Sequence, residues 1–118
     1  MPRAQFYFQN RPRPSTLALR EALGLSTAYL VKCQRRLPLV FVDVSSTYLT
    51  RFVADWEKIA VIDHHGDPKI TAPTMFIDPK SSAASLMIYE LLMVKPMVKI
   101  DKRSALALAA GIISDCCK

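Results

Sequence analysis

Short apolar runs alternate along this chain with longer segments in which apolar residues recur at helical spacing. The apolar runs predict β-strands at residues 5–8, 37–42, 58–62 and 75–77. The segments between and after them predict helices at 16–23, from 45 or 46 to about 56, from about 82 to 95, and from about 102 to 115. Strands that alternate with helices indicate an α/β protein with a Rossmann-like, doubly wound parallel sheet.

Polar residues stand where the predicted helices begin, and their side-chain oxygens can accept hydrogen bonds from free backbone N–H groups. The predicted N-caps are Ser15, Ser45 or Ser46, Ser81 or Ser82, and Asp101. The first helix is expected to stop at Gly24. The run at residues 37–42 is apolar throughout, which is typical of a central parallel strand buried on both faces.

The composition is that of a globular protein with one hydrophobic core. Of the 118 residues, 51% are apolar and 22% are charged, which argues against disorder. The longest apolar stretch, residues 86–98, contains Glu90 and Lys95 and is shorter than the ~20 residues of a membrane span. The apolar run near the N-terminus is too short for a signal peptide. We therefore expect a single domain in the cytoplasm, without a membrane partner.

The net charge, the cysteines and the glycines of the chain limit the classes of function that it can have. A net charge of +6 would attract partners that carry phosphate, nucleic acid among them, although many basic domains bind none. The cysteines lack C-x-x-C spacing and are expected to be reduced, buried thiols. The glycines form neither G-x-G-x-x-G nor a P-loop, which disfavours NAD and P-loop ATP chemistry, and Gly111 is expected to serve close helix packing. These residues are Cys33, Cys116 and Cys117, and Gly24, Gly66 and Gly111.

The candidate chemistry lies at the ends of two predicted strands. Asp63, His64 and His65 follow the run at 58–62 directly, and Asp43 follows the run at 37–42. Because parallel strands end at the same edge of a sheet, these side chains are expected to lie close together. Carboxylates with an imidazole suit Mn²⁺ or Mg²⁺, and two such ions can activate water and clamp a phosphoryl group. The pattern predicts hydrolysis of a phosphoester.

Four segments resemble, in order and spacing, the motifs of the DHH phosphoesterases. This family includes RecJ-type exonucleases, oligoribonucleases, cyclic-dinucleotide hydrolases and manganese-dependent inorganic pyrophosphatases. The segments are residues 41–46 (FVDVSS), 61–65 (VIDHH), 76–84 (FIDPKSSAA) with the helix that follows, and 105–115, which ends in AAGIISD. The resemblance spans residues 37–115 and is closest to the oligoribonuclease and RecJ-like group.

The resemblance implies a role for each site residue. Asp43 would bridge two metal ions, His64 would be a metal ligand, and Asp115 would bind the second ion. His65 would contact the substrate phosphate. Asp63 would act in the reaction either as a metal ligand or by accepting the N–H of an imidazole and orienting it. The implied cofactor is Mn²⁺, with Mg²⁺ as the alternative, and the implied partner is a phosphate-containing small molecule or short oligonucleotide.

The first motif of the family, a His and an Asp-x-Asp pair, has no counterpart in this chain. Residues 9–19 occupy its place, yet the first acidic residue of the sequence is Glu21. Arg11 or Arg13 in place of two anionic ligands would repel one cation of the pair. We therefore expect one weakly held metal ion rather than a complete two-metal site.

The chain also stops three residues after Asp115, where the family continues into a smaller substrate-binding domain. Residues 1–118 are therefore expected to be a truncated or degenerate DHH phosphoesterase domain. Two functional hypotheses follow. One is a metal-dependent enzyme that hydrolyses a phosphodiester or phosphoanhydride with metal-activated water. The other is an inactive remnant that binds a nucleotide or oligonucleotide, and a plain interaction domain would require all four motifs to be coincidental.

Overall fold

The computed structural model of the chain describes residues 6–8, 12–25, 27–29, 38–44, 54–95 and 97–117. The chain divides into two compact units, Met1–Arg36 and Leu37–Lys118. None of the helices in the described ranges is long and apolar enough to cross a membrane. The prediction of one domain over residues 1–118 stays a prediction.

The first unit is a parallel strand pair with a helix between its strands in sequence. Strand β1 (Phe6–Phe8) pairs with strand β2 (Thr27–Tyr29), and helix α1 (Pro14–Ala22) lies between them in the chain. Gly24 ends the helical segment with a left-handed φ of 61°, as the sequence predicts. The sequence pattern did not predict β2, because a three-residue strand is too short to show a period.

Helix α1 begins earlier than predicted. Its N-cap is Arg13, without a side-chain hydrogen bond, so the prediction that Ser15 caps this helix is wrong. Pro14 has the φ that a first helical turn requires and lacks the N–H that would need a cap. The residue before a proline is held in extended conformation, and Arg13 accordingly has ψ of 153°. The proline therefore sets the start of the helix.

The second unit contains a three-stranded parallel sheet and two helices. The strands are β3 (Leu39–Val42), β4 (Lys58–Asp63) and β5 (Thr74–Ile77), in the spatial order β3-β4-β5. Helix α2 (Ala84–Val94) and helix α3 (Lys102–Cys116) follow and pack against each other. The α/β class and the parallel sheet are as predicted, and the predicted strands agree with these bounds to within about two residues.

The hydrophobic core of the second unit lies around β4, the central strand. Helix α2 packs on β4, and Val61 of the strand and Met87 of the helix are fully buried. The other buried apolar residues in the described part of this unit are Phe41, Ile70, Ala83 and Ala84. Burial of these side chains fixes β4 relative to α2, and with it the position of the residues at the end of the strand.

The prediction that residues 37–42 form a central strand buried on both faces is wrong. Strand β3 lies at one side of the described three-stranded sheet. Phe41 is buried, whereas Val40 is 54% exposed and Val42 is also exposed. This alternation is that of a strand with one covered face. A continuous apolar run in the sequence does not distinguish the two cases.

Two of the predicted caps can be compared with the helices of the second unit. Asp101 caps α3 as predicted, since its carboxylate accepts a hydrogen bond from the Ser104 N–H at 2.7 Å. Helix α2 instead has Ala83 as its N-cap, in extended conformation and without a side-chain cap. The prediction that Ser81 or Ser82 caps this helix is therefore wrong. The Ser81 hydroxyl instead donates to the carbonyl of Ala83, the N-cap residue itself.

Two further predictions meet the structure only in part. The helix predicted from Ser45 or Ser46 to about residue 56 falls largely on residues 45–53, which lie outside the described residues. Cys116 and Cys117 are free thiols, as predicted, but they are exposed rather than buried because they lie at the end of α3. Cys33 lies outside the described residues.

Candidate metal centre

The two strand-end aspartates meet at one edge of the sheet, as parallel pairing requires. Val42 at the end of β3 is aligned with Ile62 of β4, and the N–H of Asp43 donates to the Ile62 carbonyl at 3.0 Å. Asp63 is the last residue of β4. The strand ladder therefore places both carboxylates at the carboxyl edge of the sheet, where open α/β sheets bind ligands.

Asp43 turns the chain out of β3 in an uncommon backbone conformation. Its φ is 57°, and it is the one described residue other than glycine with positive φ. Aspartate tolerates this left-handed region better than most residues, but the conformation still carries strain. Its side chain is 45% exposed. Partial burial raises the pKa of this carboxyl, the charge of Asp115 raises it further, and His64 opposes the shift.

His64 lies between two carboxylates and a backbone carbonyl. Its Nε2 atom is 3.3 Å from Oδ1 of Asp43 and 3.7 Å from Oδ2 of Asp115. Its Nδ1 atom is 3.2 Å from the carbonyl oxygen of Ser81. A carbonyl only accepts, so this hydrogen bond assigns the proton to Nδ1. In the neutral ring the lone pair of Nε2 then faces the carboxylate oxygens of Asp43 and Asp115. A lone pair and two carboxylate oxygens in one place can together bind a cation.

Asp63 is fully buried and holds the second imidazole. Its Oδ1 atom accepts hydrogen bonds from the His65 backbone N–H at 3.2 Å and from the His65 Nδ1–H at 2.6 Å. Its Oδ2 atom is buried and has no hydrogen-bond partner among the described residues. An unpaired buried carboxylate oxygen is costly, so its presence in a folded protein indicates a missing partner such as a metal ion.

His65 lies beside the two aspartates and packs against the neighbouring imidazole. Its Nδ1 atom is 3.8 Å from Oδ1 of Asp43, and about half of its side chain is exposed. The rings of His64 and His65 meet edge to face, with centroids 4.7 Å apart. The Asp63 contact holds the Nδ1 side of the His65 ring and leaves the exposed part of the ring accessible from solvent.

Asp115 reaches the site from helix α3, one turn after a close contact between helices. A Cβ atom added at Gly111 would overlap the Ser85 side chain of α2. Gly111 therefore lets the two helices approach, which agrees with the prediction made for this glycine. Because residues four apart share a helix face, this approach also brings Asp115 toward His64.

The structure brings together every residue that the sequence predicts for the site. Asp43, Asp63, His64 and His65 each offer a ligand atom, and these atoms lie within 4.8 Å of one another. Asp115 adds its contact with His64 Nε2. This set of carboxylate oxygens and imidazole nitrogens fits a divalent ion of the Mn²⁺ or Mg²⁺ type. The partnerless Oδ2 atom of Asp63 supports the same fit.

Sequence reasoning missed the backbone carbonyl that binds His64 and the turn that carries it. The Ser81 N–H donates to the Asp78 carbonyl at 3.1 Å, which closes a four-residue turn. The Asp78 carboxylate accepts from the Lys80 N–H at 2.9 Å. Aspartate at the first position of a turn and proline at the second are its usual signals, and Asp78-Pro79 shows both.

Comparison with protein families identifies the family of this chain. The model of the DHH family, N-terminal domain, matches residues 4–112 of the chain. This protein therefore belongs to the DHH family. Asp115 lies three residues beyond the matched range. The comparison with curated proteins finds no match.

Proposed function

We propose that this protein is a metal-dependent phosphoesterase that hydrolyses a phosphodiester or phosphoanhydride of a nucleotide or short oligonucleotide. The observation that carries the proposal is that the carboxylates of Asp43 and Asp115 both lie close to Nε2 of His64. Membership of the DHH family supports the phosphoesterase class. The proposed cofactor is Mn²⁺, with Mg²⁺ as the alternative.

The proposed ligands are Asp43, Asp63, His64 and Asp115. The carboxylates of Asp43, Asp63 and Asp115 lower the electrostatic energy of a divalent cation at the sheet edge. Partial burial and then the charge of Asp115 raise the pKa of Asp43. A bound divalent ion would supply Lewis acidity toward water and toward a phosphoryl oxygen. The protein's own contribution is to hold these ligands at fixed positions before the substrate arrives.

His65 is the proposed contact for the substrate phosphate. Asp63 accepts its Nδ1–H, which fixes the orientation of the ring and leaves Nε2 free to face an approaching phosphate. In this arrangement Asp63 both orients His65 through Oδ1 and offers Oδ2 to the metal. The two roles that the sequence left open for Asp63 therefore do not exclude each other.

We further propose that the protein falls in the oligoribonuclease and RecJ-like group and acts in the cytoplasm. The sequence motifs support this grouping. The rival proposal is an inactive remnant that binds a nucleotide, and its support is the absence of an Asp-x-Asp pair before Glu21. Arg11 lies outside the described residues, and the repulsion expected from Arg11 or Arg13 stays a prediction.

The test is metal content by mass spectrometry after manganese loading, run beside hydrolysis of bis-p-nitrophenyl phosphate and of a short oligonucleotide. We expect bound manganese and turnover in the native chain, with both lost in His64→Ala. Asp67→Asn is the matched control, because Asp67 is an exposed residue of the same loop that pairs with Lys69. This variant should keep both properties.

Each result decides between the two functions. Manganese binding without turnover of either substrate would favour the nucleotide-binding remnant and overturn the enzyme. Turnover that survives in His64→Ala would show that the activity comes from another site or a contaminant. A manganese content that is unchanged in His64→Ala would overturn the proposed metal centre itself.

A further inference from the structure

The turn at residues 78–81 lies between β5 and α2 and touches the metal centre only through its backbone. The Asp78 N–H donates to the Asp63 carbonyl at 3.1 Å, which continues the β4–β5 pairing by one bond. The first residue of the turn, Asp78, therefore lies beside Asp63, the buried aspartate at the end of β4. It ends at Ser81, whose carbonyl binds His64.

Both ends of this turn are held by local hydrogen bonds. The Asp78 carboxylate accepts from the Lys80 N–H at 2.9 Å, and the Asp78 carbonyl accepts from the Ser81 N–H at 3.1 Å. On the far side, the Ser81 hydroxyl donates to the Ala83 carbonyl at 3.0 Å. The Ser81 carbonyl is thus fixed in direction by bonds before and after it.

The direction of the Ser81 carbonyl determines which nitrogen of the His64 ring carries the proton. A proton on Nδ1 satisfies this carbonyl and leaves Nε2 with its lone pair toward Asp43 and Asp115. The opposite tautomer would lose the bond to Ser81 and would place a proton where a ligand atom is needed. Imidazole ligands generally depend on such a hydrogen bond to their second nitrogen.

We propose that Asp78 is a positioning residue for His64. Its carboxylate shapes the turn, the turn aims the Ser81 carbonyl, and the carbonyl fixes both the tautomer and the orientation of the imidazole. The metal part of this inference rests on the proposed function, whereas the tautomer part does not. Asp78 itself makes no described contact with the ligands other than the backbone bond to Asp63.

The experiment compares three variants of the full chain. Asp78→Ala removes the side-chain acceptor, Asp78→Asn keeps an acceptor oxygen without the charge, and Asp67→Ala removes an exposed carboxylate that does not take part in the turn. The first readout is the ¹⁵N spectrum of the imidazoles without metal. The chain has two histidines, so a His64→Ala sample assigns the signals. The second readout is the Kd for Mn²⁺.

We expect the His64 signals to show Nδ1–H in the native chain, in Asp78→Asn and in Asp67→Ala. In Asp78→Ala they should shift toward a mixture of tautomers, and the Kd for Mn²⁺ should rise by about 10- to 100-fold, as for the loss of other supporting hydrogen bonds. If Asp78→Ala does not fold, Asp78→Ser replaces it, because serine makes the same local bond more weakly and should give an intermediate shift.

The inference is overturned if Asp78→Ala, or Asp78→Ser in its place, leaves the His64 tautomer unchanged. It is also overturned if Asp78→Asn behaves like Asp78→Ala, since charge and not the turn would then matter. A native chain that binds no Mn²⁺ would defeat the proposed function alone, and the metal-free spectra would still decide the role of Asp78.

Discussion

Asp43 and Asp63 stand at corresponding ends of two neighbouring strands, yet their surroundings differ sharply. Asp63 ends the central strand and is fully buried with extended backbone, whereas Asp43 follows the outer strand β3, is 45% exposed and has left-handed backbone. The difference follows from the sheet, because β4 has a paired strand on each side and α2 packed against it. Similar sequence signals therefore give one proposed ligand in the core and one at the surface.

The comparison predicts that the two aspartates divide their contributions differently between folding and binding. Asp63 is fully buried and accepts two hydrogen bonds from His65, so its loss should affect both folding and metal binding. Asp43 carries backbone strain and makes one described backbone bond, to Ile62. Its loss should affect binding much more than folding.

The largest expected effect is that of Asp63→Ala. Loss of two hydrogen bonds to a buried carboxylate should lower the free energy of unfolding of the metal-free protein by about 2–3 kcal/mol. Asp43→Ala should change it by about 1 kcal/mol or less, because that side chain is half exposed. Urea titration of both variants in EDTA checks this difference. Equal losses would contradict the contrast drawn between the two strand ends.

The same two variants should lose the stabilisation that manganese gives. At a manganese concentration about 100 times its Kd, the native chain should gain about 2.7 kcal/mol in unfolding free energy, and removal of the ion with EDTA should reverse the gain. Neither alanine variant should gain measurably, as thermal melts with and without manganese would show. A native chain that gains nothing would count against the metal centre.

The third carboxylate of the site, that of Asp115, can be moved away from His64 without a substitution at Asp115 itself. Gly111→Ala should lower the free energy of unfolding by about 1–3 kcal/mol, because the added methyl group overlaps Ser85 and must push α3 away from α2. The same displacement should move Asp115 from His64 and weaken manganese binding. Adding Ser85→Gly should restore much of both losses, as melts and manganese titration can check. No rescue would show that the contact does not position Asp115.

Removing the backbone strain at Asp43 should change the free energy of unfolding by a smaller amount and in the opposite direction. Asp43→Gly should raise the free energy of unfolding of the metal-free protein by up to about 1 kcal/mol, because glycine adopts φ of 57° without the steric cost. It should also abolish manganese binding. Asp63→Gly, in extended backbone, should only destabilise. Urea titration of this pair would sharpen the contrast, and a destabilised Asp43→Gly would count against stored strain.

The smallest effect concerns Asp101, a carboxylate whose pKa is shifted in the direction opposite to that of Asp43. The hydrogen bond from Ser104 lowers the pKa of Asp101 below its ordinary value. The cap therefore contributes fully above about pH 4 and is lost as the pH falls through the folded-state pKa. Asp101→Asn caps the helix at every pH and should remove this dependence. Urea titrations of both chains between pH 3 and pH 6 test it.

The sequence predicted the features that depend on apolar periodicity and on the residue types at the ends of helices and strands. Parallel strands at 39–42, 58–63 and 74–77 follow from their apolar runs, and Asp101 follows from the chemistry of capping. The convergence of Asp43 with Asp63 follows from parallel pairing alone, since Asp43 comes directly after β3 and Asp63 is the last residue of β4. Asp115 was placed by resemblance, because nothing in its local sequence indicates which sheet edge it approaches.

What the sequence could not predict depends on three-dimensional neighbours. Exposure of Val40 and Val42 depends on which face of the sheet is covered, and a run of apolar residues does not record this. The left-handed backbone of Asp43 has no local signal, because aspartate occurs in most conformations. Ser81 and Ser82 had the right residue type for a cap, but the Ser81 N–H closes the turn at 78–81 and its hydroxyl donates to the Ala83 carbonyl.

The contact between His64 and Asp115 also bears on the order in which the protein assembles. The two residues are 51 positions apart in the sequence (115 minus 64), whereas Asp63 and His65 are two positions apart. Closing so long a loop is entropically costly, so this contact should form late, after the strand pairs and the turn at 78–81. We expect Asp115→Ala to leave the refolding rate of the metal-free chain nearly unchanged in stopped-flow experiments. A marked slowing would place helix α3 in the folding nucleus instead.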